Sequence, residues 1–359
     1  MTLKLNSTPE QLVKNFSGGH SFTLTERVEG SFKFINTPKL LTSILTPSIN
    51  THRGKSFLYD VEQAVQGTFT GKSYSAKGDS LEKPGASQLA FGIPSFGLTW
   101  NVLPGDFAGK RIPNGEGFMD AAYIATRQAQ QAMNAMDILN EVGMAELLVN
   151  DRNYLAGGNF TQYDYSAKIN GASRATAKDL TLGSDDIVAT RQILAKERKL
   201  IEQALGVAGK SARGFMLICG DTLFEKLWDQ QAQTGLARPL MNTLDLASMQ
   251  MPTMFDGTFR YDNFSSEAGM TIVNYGASII GGSKMIGDDN GYLVAVGVED
   301  AITIELAPAD TMDTVNQEAE AMYMFTEEGL RTGISTEIET NRLFLNRNPE
   351  LIRAVTSST

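Results

Sequence analysis

The stretch "GIPSFGLTWNVLPGDFAGKR", which runs from Gly92 to Arg111, decides how the rest of the chain is interpreted. Phe91 and the first half of this stretch are rich in aromatic, β-branched and other apolar residues. This composition is typical of a strand. A glycine-rich stretch, "GTFTGKSYSAKGDSLEKPGAS" at 67–87, precedes it, and a long helical pattern follows it. A strand, a long loop and a long helix therefore meet here.

On the N-terminal side, "GKSFLYDVEQAV" at 54–65 predicts a partner strand. The glycine-rich residues between the two strands predict a long loop or hairpin tip. Such loops are uncommon in compact domains and usually functional, the alternative being a merely mobile surface loop. Residues 1–50 are irregular and contain several prolines and a Gly18-Gly19 pair, so we interpret them as an extended arm.

On the C-terminal side, a helix is predicted from Gly117 through "FMDAAYIATRQAQQAMNAMDILNEVGMAELLVN", which contains no proline. At 1.5 Å per residue it would reach about 45 Å. A core-facing stripe is the favoured interpretation of its methionines, with a methionine-lined ligand box as the alternative. The apolar and small residues of one face recur at steps of three and four: Phe118, Ala122, Ala125, Ala129, Met133, Met136, Leu139 and Val142.

Residues 184–235 predict helix, strand and helix in that order. The acidic run that ends at Asp186 suits a helix N-terminus, and Gly206 suits the position after a helix end. "GFMLICG" predicts the strand, and Thr222 with Glu225 forms a capping-box pattern ahead of the next helix. From 255 to 306 the pattern is mostly strand, and further strands are expected in the tail. The fold class is therefore α+β.

Composition excludes general nucleic-acid binding. The chain has 359 residues and a net charge of −10, whereas nucleic-acid binding requires a Lys/Arg-rich surface. Residues 1–60 carry seven basic and four acidic residues, and residues 300–359 carry four basic and eleven acidic ones. Two solvated surfaces explain this asymmetry. The alternative is a basic segment that lies on the acidic surface of a neighbouring copy.

The candidates for chemistry are weak, and we predict no catalytic, cofactor-binding or metal-ligating residue. The single cysteine, Cys219, sits in an apolar run typical of a buried thiol, and no disulfide is possible. His20 and His52 cannot supply a histidine-rich metal site. We expect neither a signal peptide nor a membrane-spanning segment.

The most enzyme-like motif is "ALGVAGKS", from Ala204 to Ser211, which resembles a relaxed phosphate loop. A phosphate loop needs a strand before it and a helix after it, and here the order is reversed. Carboxylates such as Glu327-Glu328 indicate a solvated face, although a carboxylate-pair enzyme stays open. Long elements that cannot bury themselves favour instead a self-assembling structural protein.

Three stretches carry a resemblance to a known family. These are Gly92–Arg111, "APADTMDTVNQEAEAMYMF" at 307–325, and "ETNRLFLNRNPELIRAV" at 339–355. Their order and spacing resemble those of the lambda-type major capsid proteins of tailed phages, the major capsid protein E family. The resemblance covers the chain from about residue 20 to 355.

The resemblance implies the Hong Kong 97 phage capsid fold. The expected divisions are an N-terminal arm at 1–50, an extended β-hairpin loop at 51–105, a peripheral domain with a long spine helix at 106–165, an axial domain at 166–304, and a return to the peripheral domain at 305–359. Residues 307–325 would carry the chain out of the axial domain as a structural crossing.

The resemblance also implies self-assembly into an icosahedral head shell that encloses double-stranded DNA. Copies would form hexamers and pentamers, with a separate scaffolding protein and portal, and a decoration protein as a further candidate partner. DNA would be enclosed without sequence-specific binding and no membrane would be involved. Assembly is expected in the cytoplasm of the host bacterium, and the product is the virion. No cofactor and no covalent crosslink between copies are expected.

Charged residues of the extended loop and its base are the candidate subunit interface. Two alternatives to a capsid remain open: another homopolymeric phage part, such as a tail or baseplate component, and a soluble enzyme that uses carboxylates. The candidate interface residues are Arg53, Lys55, Lys72, Lys77, Asp79, Glu82 and Lys83.

Overall fold

A computed structural model of the chain defines the architecture. The residues that it describes are 2–4, 39–62, 86–110, 120–155, 160–180, 182, 187–206, 212–233, 258–261, 270–276, 279–280, 283–314, 316–329 and 333–357.

The helices differ widely in length, from one turn to thirty residues. They are α1 (Leu40–Leu45), α2 (Pro104–Phe107), α3 (Ala121–Asn150), α4 (Tyr165–Asn170), α5 (Ile187–Leu205) and α6 (Asp221–Gln233), with a short 3₁₀ turn at Pro349–Leu351.

The strands are mostly short. They are β1 (Thr2–Lys4), β2 (Ser48–Thr51), β3 (Ser56–Glu62), β4 (Ala86–Gly92), β5 (Ser95–Val102), β6 (Lys178–Asp179), β7 (Gly214–Cys219), β8 (Thr258–Tyr261), β9 (Met270–Asn274), β10 (Ile279–Ile280), β11 (Ser283–Lys284), β12 (Asn290–Val296), β13 (Ile302–Ala307), β14 (Tyr323–Gly329), β15 (Gly333–Asn346) and β16 (Ile352–Thr356).

The long helix α3 begins and ends where its backbone groups find partners. The Asp120 side chain accepts a hydrogen bond from the Tyr123 amide at 2.7 Å, so it caps the N-terminus. The helix ends at Asp151, which adopts a left-handed conformation with φ 52°. The sequence pattern predicted a start at Gly117. Residues 111–119 lie outside the described residues, and the helix that the structure describes begins at Ala121.

The first sheet packs against the first half of α3. Its strands follow the order β1-β14-β15-β13-β2, and β5 also pairs with β15. Ala129 and Ala132 of the helix are buried against Met324 and Ile338 of the sheet, with Met133 and Met136 packed around them. These methionines therefore lie in a core stripe, as the sequence pattern indicated.

The second sheet follows the order β6-β16-β12-β7-β9-β8. One face packs against α5 and α6, in a cluster that includes Leu194 and Leu227. The other face contributes Ile218 and Val294 to a core that also contains Leu148 of α3. The sheet is thus covered on both sides, which explains the nearly continuous apolar run of β7.

The predicted helix–strand–helix of residues 184–235 corresponds to α5, β7 and α6. Helix α5 ends at Leu205, and Gly206 follows it with φ 57°, the left-handed conformation that glycine adopts without strain. The residues expected to cap α5, at 184–186, and most of the phosphate-loop-like motif, at 207–211, lie outside the described residues.

The last strand lies in the second sheet. Residues 305–359 were expected to return to the peripheral domain, and within them Ile352–Thr356 pairs antiparallel with Asn290–Val296. Strands β14 and β15 do lie in the first sheet. The short turn at Pro349–Leu351 redirects the chain between the two sheets, a change that proline signals locally but whose destination local pattern cannot specify.

Gly143 permits the closest approach between α3 and β15. A Cβ added there would lie 2.2 Å from the ring of Phe344, whose side chain is buried and cannot swing away. Gly143→Ala should therefore destabilise the unassembled protein by about 1–3 kcal/mol through overpacking, although alanine favours helix. Urea denaturation measures this. Gly105→Ala, with nothing within 4 Å, is the matched control, and wild-type stability of Gly143→Ala would contradict the packing described.

Candidate functional site

The base of the β3–β4 hairpin is the candidate functional site. Residues 52–55 join strand β2 to strand β3 and turn the chain away from the first sheet. The amide of His52 donates to the carbonyl of Leu306 at 2.9 Å, and the amide of Ile93 donates to the carbonyl of Lys55 at 2.8 Å. The first bond fixes the start of the hairpin to β13, and the second closes the base of the hairpin itself.

A buried carboxylate lies under this base. Glu305 of β13 is 1% exposed, and four side chains surround its two oxygens. Such a group is tolerated only when its oxygens are well paired. Hydrogen bonds to it come from Thr303 at 2.6 Å, Asn50 at 3.0 Å, Arg347 at 3.1 Å and His52 at 2.7 Å, the last as donor from Nε2.

Burial and hydrogen bonding act in opposite directions on Glu305. Burial alone would raise the pKa of its carboxyl group, but the hydrogen bonds from Thr303, His52, Asn50 and Arg347 together leave that pKa below its ordinary value. Glu305 therefore joins β2, β13 and the chain after β15 through one ionised group. His52, considered from the sequence only as a metal ligand, belongs to this network.

Aromatic contacts connect the buried network to the hairpin. The His52 ring stacks on Phe57 of β3 with centroids 4.5 Å apart. The guanidinium of Arg347 lies 5.7 Å from the ring centroid of Tyr59, two residues further along the same strand. The hydroxyl of Tyr163 accepts a hydrogen bond from the Gly92 amide at 2.8 Å. The side of the hairpin that faces the subunit is therefore fixed along both strands.

Two candidate interface residues form ion pairs within the subunit. Lys55 lies 2.5 Å from Asp310, and Arg53 lies 3.8 Å from Glu318. All four side chains are largely exposed, and exposed pairs contribute about 0–1 kcal/mol each. The acidic partners belong to 307–325, one of the stretches that carried the family resemblance. The remaining candidates, Lys72, Lys77, Asp79, Glu82 and Lys83, lie outside the described residues.

Neither a metal-binding cluster nor an accessible thiol is found among the described residues. No group of three or more histidine, cysteine, aspartate or glutamate side chains there could hold a metal ion. Cys219 is fully buried, and burial raises the pKa of its thiol far above the range in which it reacts. No described helix is both long enough and apolar enough to cross a membrane.

Two cavities lined by described residues lie away from the hairpin base. One, of about 160 Å³, lies between α4, α5 and β16 and is lined by Arg174, Arg353, Glu197 and Glu350 among others. The second, of about 300 Å³, lies near the start of α3 beside Lys110. The first brings charges of both signs together, which favours neither an anionic nor a cationic ligand.

Comparison with known families gives one match that spans most of the chain. The model of a family described as phage major capsid protein E matches residues 23–357. No curated protein matches the sequence.

Several solved capsid structures share the fold. The capsid protein of the cyanophage P-SCSP1u has 9% sequence identity and a TM-score of 0.55, with 94% of this chain and 93% of that chain covered. The putative capsid protein of a prophage from E. coli CFT073 has 11% identity and a TM-score of 0.51, with both chains covered completely. The capsid protein of cyanophage A-1(L) has 11% identity and a TM-score of 0.51, with 93% and 97% covered. The predicted fold class, α+β of the Hong Kong 97 type, is confirmed.

Replacing the buried carboxylate tests the Glu305 network. Glu305→Gln should destabilise the unassembled protein by about 2–4 kcal/mol at pH 7, because an amide nitrogen would face hydrogen-bond donors. A carboxyl group with a lowered pKa stabilises the fold above its unfolded-state pKa and ceases to do so as pH falls through its folded-state pKa. The difference in the free energy of unfolding between wild type and variant should therefore become smaller in acid.

Urea denaturation at pH 7 and below pH 4 measures this difference. Asp60→Asn is the control, since Asp60 is exposed and accepts one hydrogen bond, from Gln88 at 3.0 Å. A stability gap that stays constant across both pH values would contradict the assignment of the network to an ionised Glu305.

Proposed function

The chain belongs to the phage major capsid protein E family, and we propose that it builds the phage head from rings of five and six copies joined through the base and length of the β3–β4 hairpin. It is a virion component, and its copies form the shell of the head.

The exposed hairpin is the observation that carries the proposal. Strands β3 and β4 pair only with each other among the described residues, and a two-stranded hairpin alone is marginally stable in water. Its outer face exposes Leu58 (62%). Strand β2, which leads into it, lies at the edge of the first sheet and exposes Ile49 (64%). Contact with a neighbouring copy would cover both.

The two sheets support a division of the subunit into two domains. We propose that α3 and the first sheet belong to a peripheral domain (106–165 and most of 305–359), and that the second sheet forms the axial domain (166–304) near the ring axes. The arm (1–50) and the extended loop (51–105) would lie on neighbouring copies. The last strand, Ile352–Thr356, is assigned to the axial domain because it pairs there.

Further partners are proposed from the family. Scaffolding protein and portal would be separate chains, with a decoration protein as an additional candidate, and assembly would take place in the host cytoplasm. The net charge of −10 per subunit suits a container for DNA, since it weakens adhesion of the packaged DNA to the wall. The chain would act as a structural protein and not as an enzyme.

Negative-stain electron microscopy of the protein, expressed alone and with a candidate scaffolding protein, tests the proposed function. Closed shells, or rings of five and six copies, are the expected result. Tubes or stacked rings would contradict a head protein and favour a tail component. Dispersed monomers under both conditions would contradict assembly through this chain's own surfaces.

Charge exchange at Lys55 tests the proposed interface. Lys55→Glu should fold normally but lower the yield of shells by about fivefold or more, because a repelling charge recurs at every contact. Exchanging the pair, Lys55→Asp with Asp310→Lys, restores the contact within the subunit but leaves a reversed charge towards the neighbour, so the yield should stay low. Sedimentation of assembled particles measures the yield.

The exposed Lys178 provides a matched control, as Lys178→Glu, on a strand far along the chain from the hairpin. Full recovery of shells in the exchanged pair would show that Lys55 acts only within its own subunit, and would overturn its assignment to the interface.

A further inference from the structure

A second buried carboxylate joins three parts of the subunit that are distant in sequence. Glu141 lies in the second half of α3 and is 0% exposed. One of its oxygens, Oε1, accepts from the amide of Leu41 at 2.8 Å and from the hydroxyl of Tyr275 at 2.8 Å. The other, Oε2, accepts from the amide of Thr42 at 3.1 Å and from its hydroxyl at 3.0 Å.

These donors come from two elements that are distant from each other in sequence and converge on one side chain of the long helix. Leu41 and Thr42 belong to α1, which leads within three residues into β2 and from there to the hairpin base. Tyr275 directly follows β9, and its amide donates to the Cys219 carbonyl at 2.8 Å, so it is fixed to the second sheet. One side chain therefore fixes both the segment that leads to the hairpin and the second sheet to α3.

The arrangement uses the whole acceptor capacity of a carboxylate. Four donors converge on two oxygens, whereas a glutamine would offer one acceptor oxygen and present an NH₂ group to the other donors. A buried donor left without an acceptor is costly, so loss of one contact favours local rearrangement of the group that made it. The two groups of donors, from α1 and from Tyr275, should accordingly respond to each other.

We propose that Glu141 is a positioning residue that sets the orientation of the hairpin base relative to the second sheet, and thereby the curvature with which copies pack. This inference rests on the proposed function. In a closed shell the angle between neighbouring copies determines its diameter, and that angle depends on how the joining surfaces are held within each subunit. Glu141 is bonded both to α1, which leads to the hairpin base, and to Tyr275 beside the second sheet. Because it is fully buried, it does so without touching a neighbouring copy.

A double-mutant cycle tests the coupling in the unassembled protein. Thr42→Val and Tyr275→Phe each remove one hydroxyl donor from Glu141. If Glu141 couples the two groups of donors, the folding equilibrium constant of the double variant should differ by at least about fivefold from the value that the product of the single effects predicts. Thr42→Val with Tyr165→Phe is the control cycle, because the Tyr165 hydroxyl donates to the Phe344 carbonyl instead. That cycle should be additive.

Particle size tests the consequence for assembly. Shells of Glu141→Gln, and of Tyr275→Phe in case the first variant fails to fold, should show a broader or shifted distribution of diameters than wild-type shells by electron microscopy. An additive cycle together with wild-type diameters would overturn the role of Glu141 while leaving the proposed function intact. Absence of shells from the wild type itself would contradict the proposed function instead.

Discussion

Burial of the second half of α3 between the two sheets is the constraint on which the rest of the structure depends. Met144, Leu147 and Leu148 are fully buried there, against side chains from both sheets. Gly143 lets the Phe344 ring approach the helix backbone more closely than any side chain would allow. Because one helix forms the common wall, the two sheets cannot be repacked independently.

Polar groups then fix the relative positions of elements, which apolar contacts alone leave adjustable. Hydrophobic contacts are non-directional, whereas Glu305 and Glu141 each require donors from particular places in the chain. Glu305 fixes the chain at the hairpin base, and Glu141 fixes α1 and the second sheet to α3. The direction in which the hairpin leaves the subunit is therefore set by two buried carboxylates, and its outer face is left for a neighbouring copy.

Sequence pattern identified the elements whose signals are local. The helix Ala121–Asn150, the strand Gly214–Cys219 and the helix that follows it were predicted from composition, spacing and proline-free length. The α+β class followed from their order, and the family followed from three stretches in a fixed order. These elements can be predicted because the helix period and the strand composition involve residues only a few positions apart.

Pairing between residues that are distant in sequence leaves no local signal. His52 and Glu305 are separated by 253 residues, and nothing in "NTHRGK" or "TIELAP" indicates that they meet. Glu141 carries a weak signal, since a carboxylate in the apolar run "ILNEVGM" must find donors if the helix is buried there. The position of the last strand also depends on the folded sheet and not on its own residues.

Hydrogen exchange measured by mass spectrometry, with dispersed and assembled protein compared, tests the central claim most directly. If neighbouring copies complete the hairpin, the amides of Ser56–Glu62 and Ala86–Gly92 should exchange faster in the dispersed protein than in the shell. The buried strand Ile302–Ala307 should be protected in both and serves as the internal reference. Equal exchange of the hairpin in the two states would contradict the account.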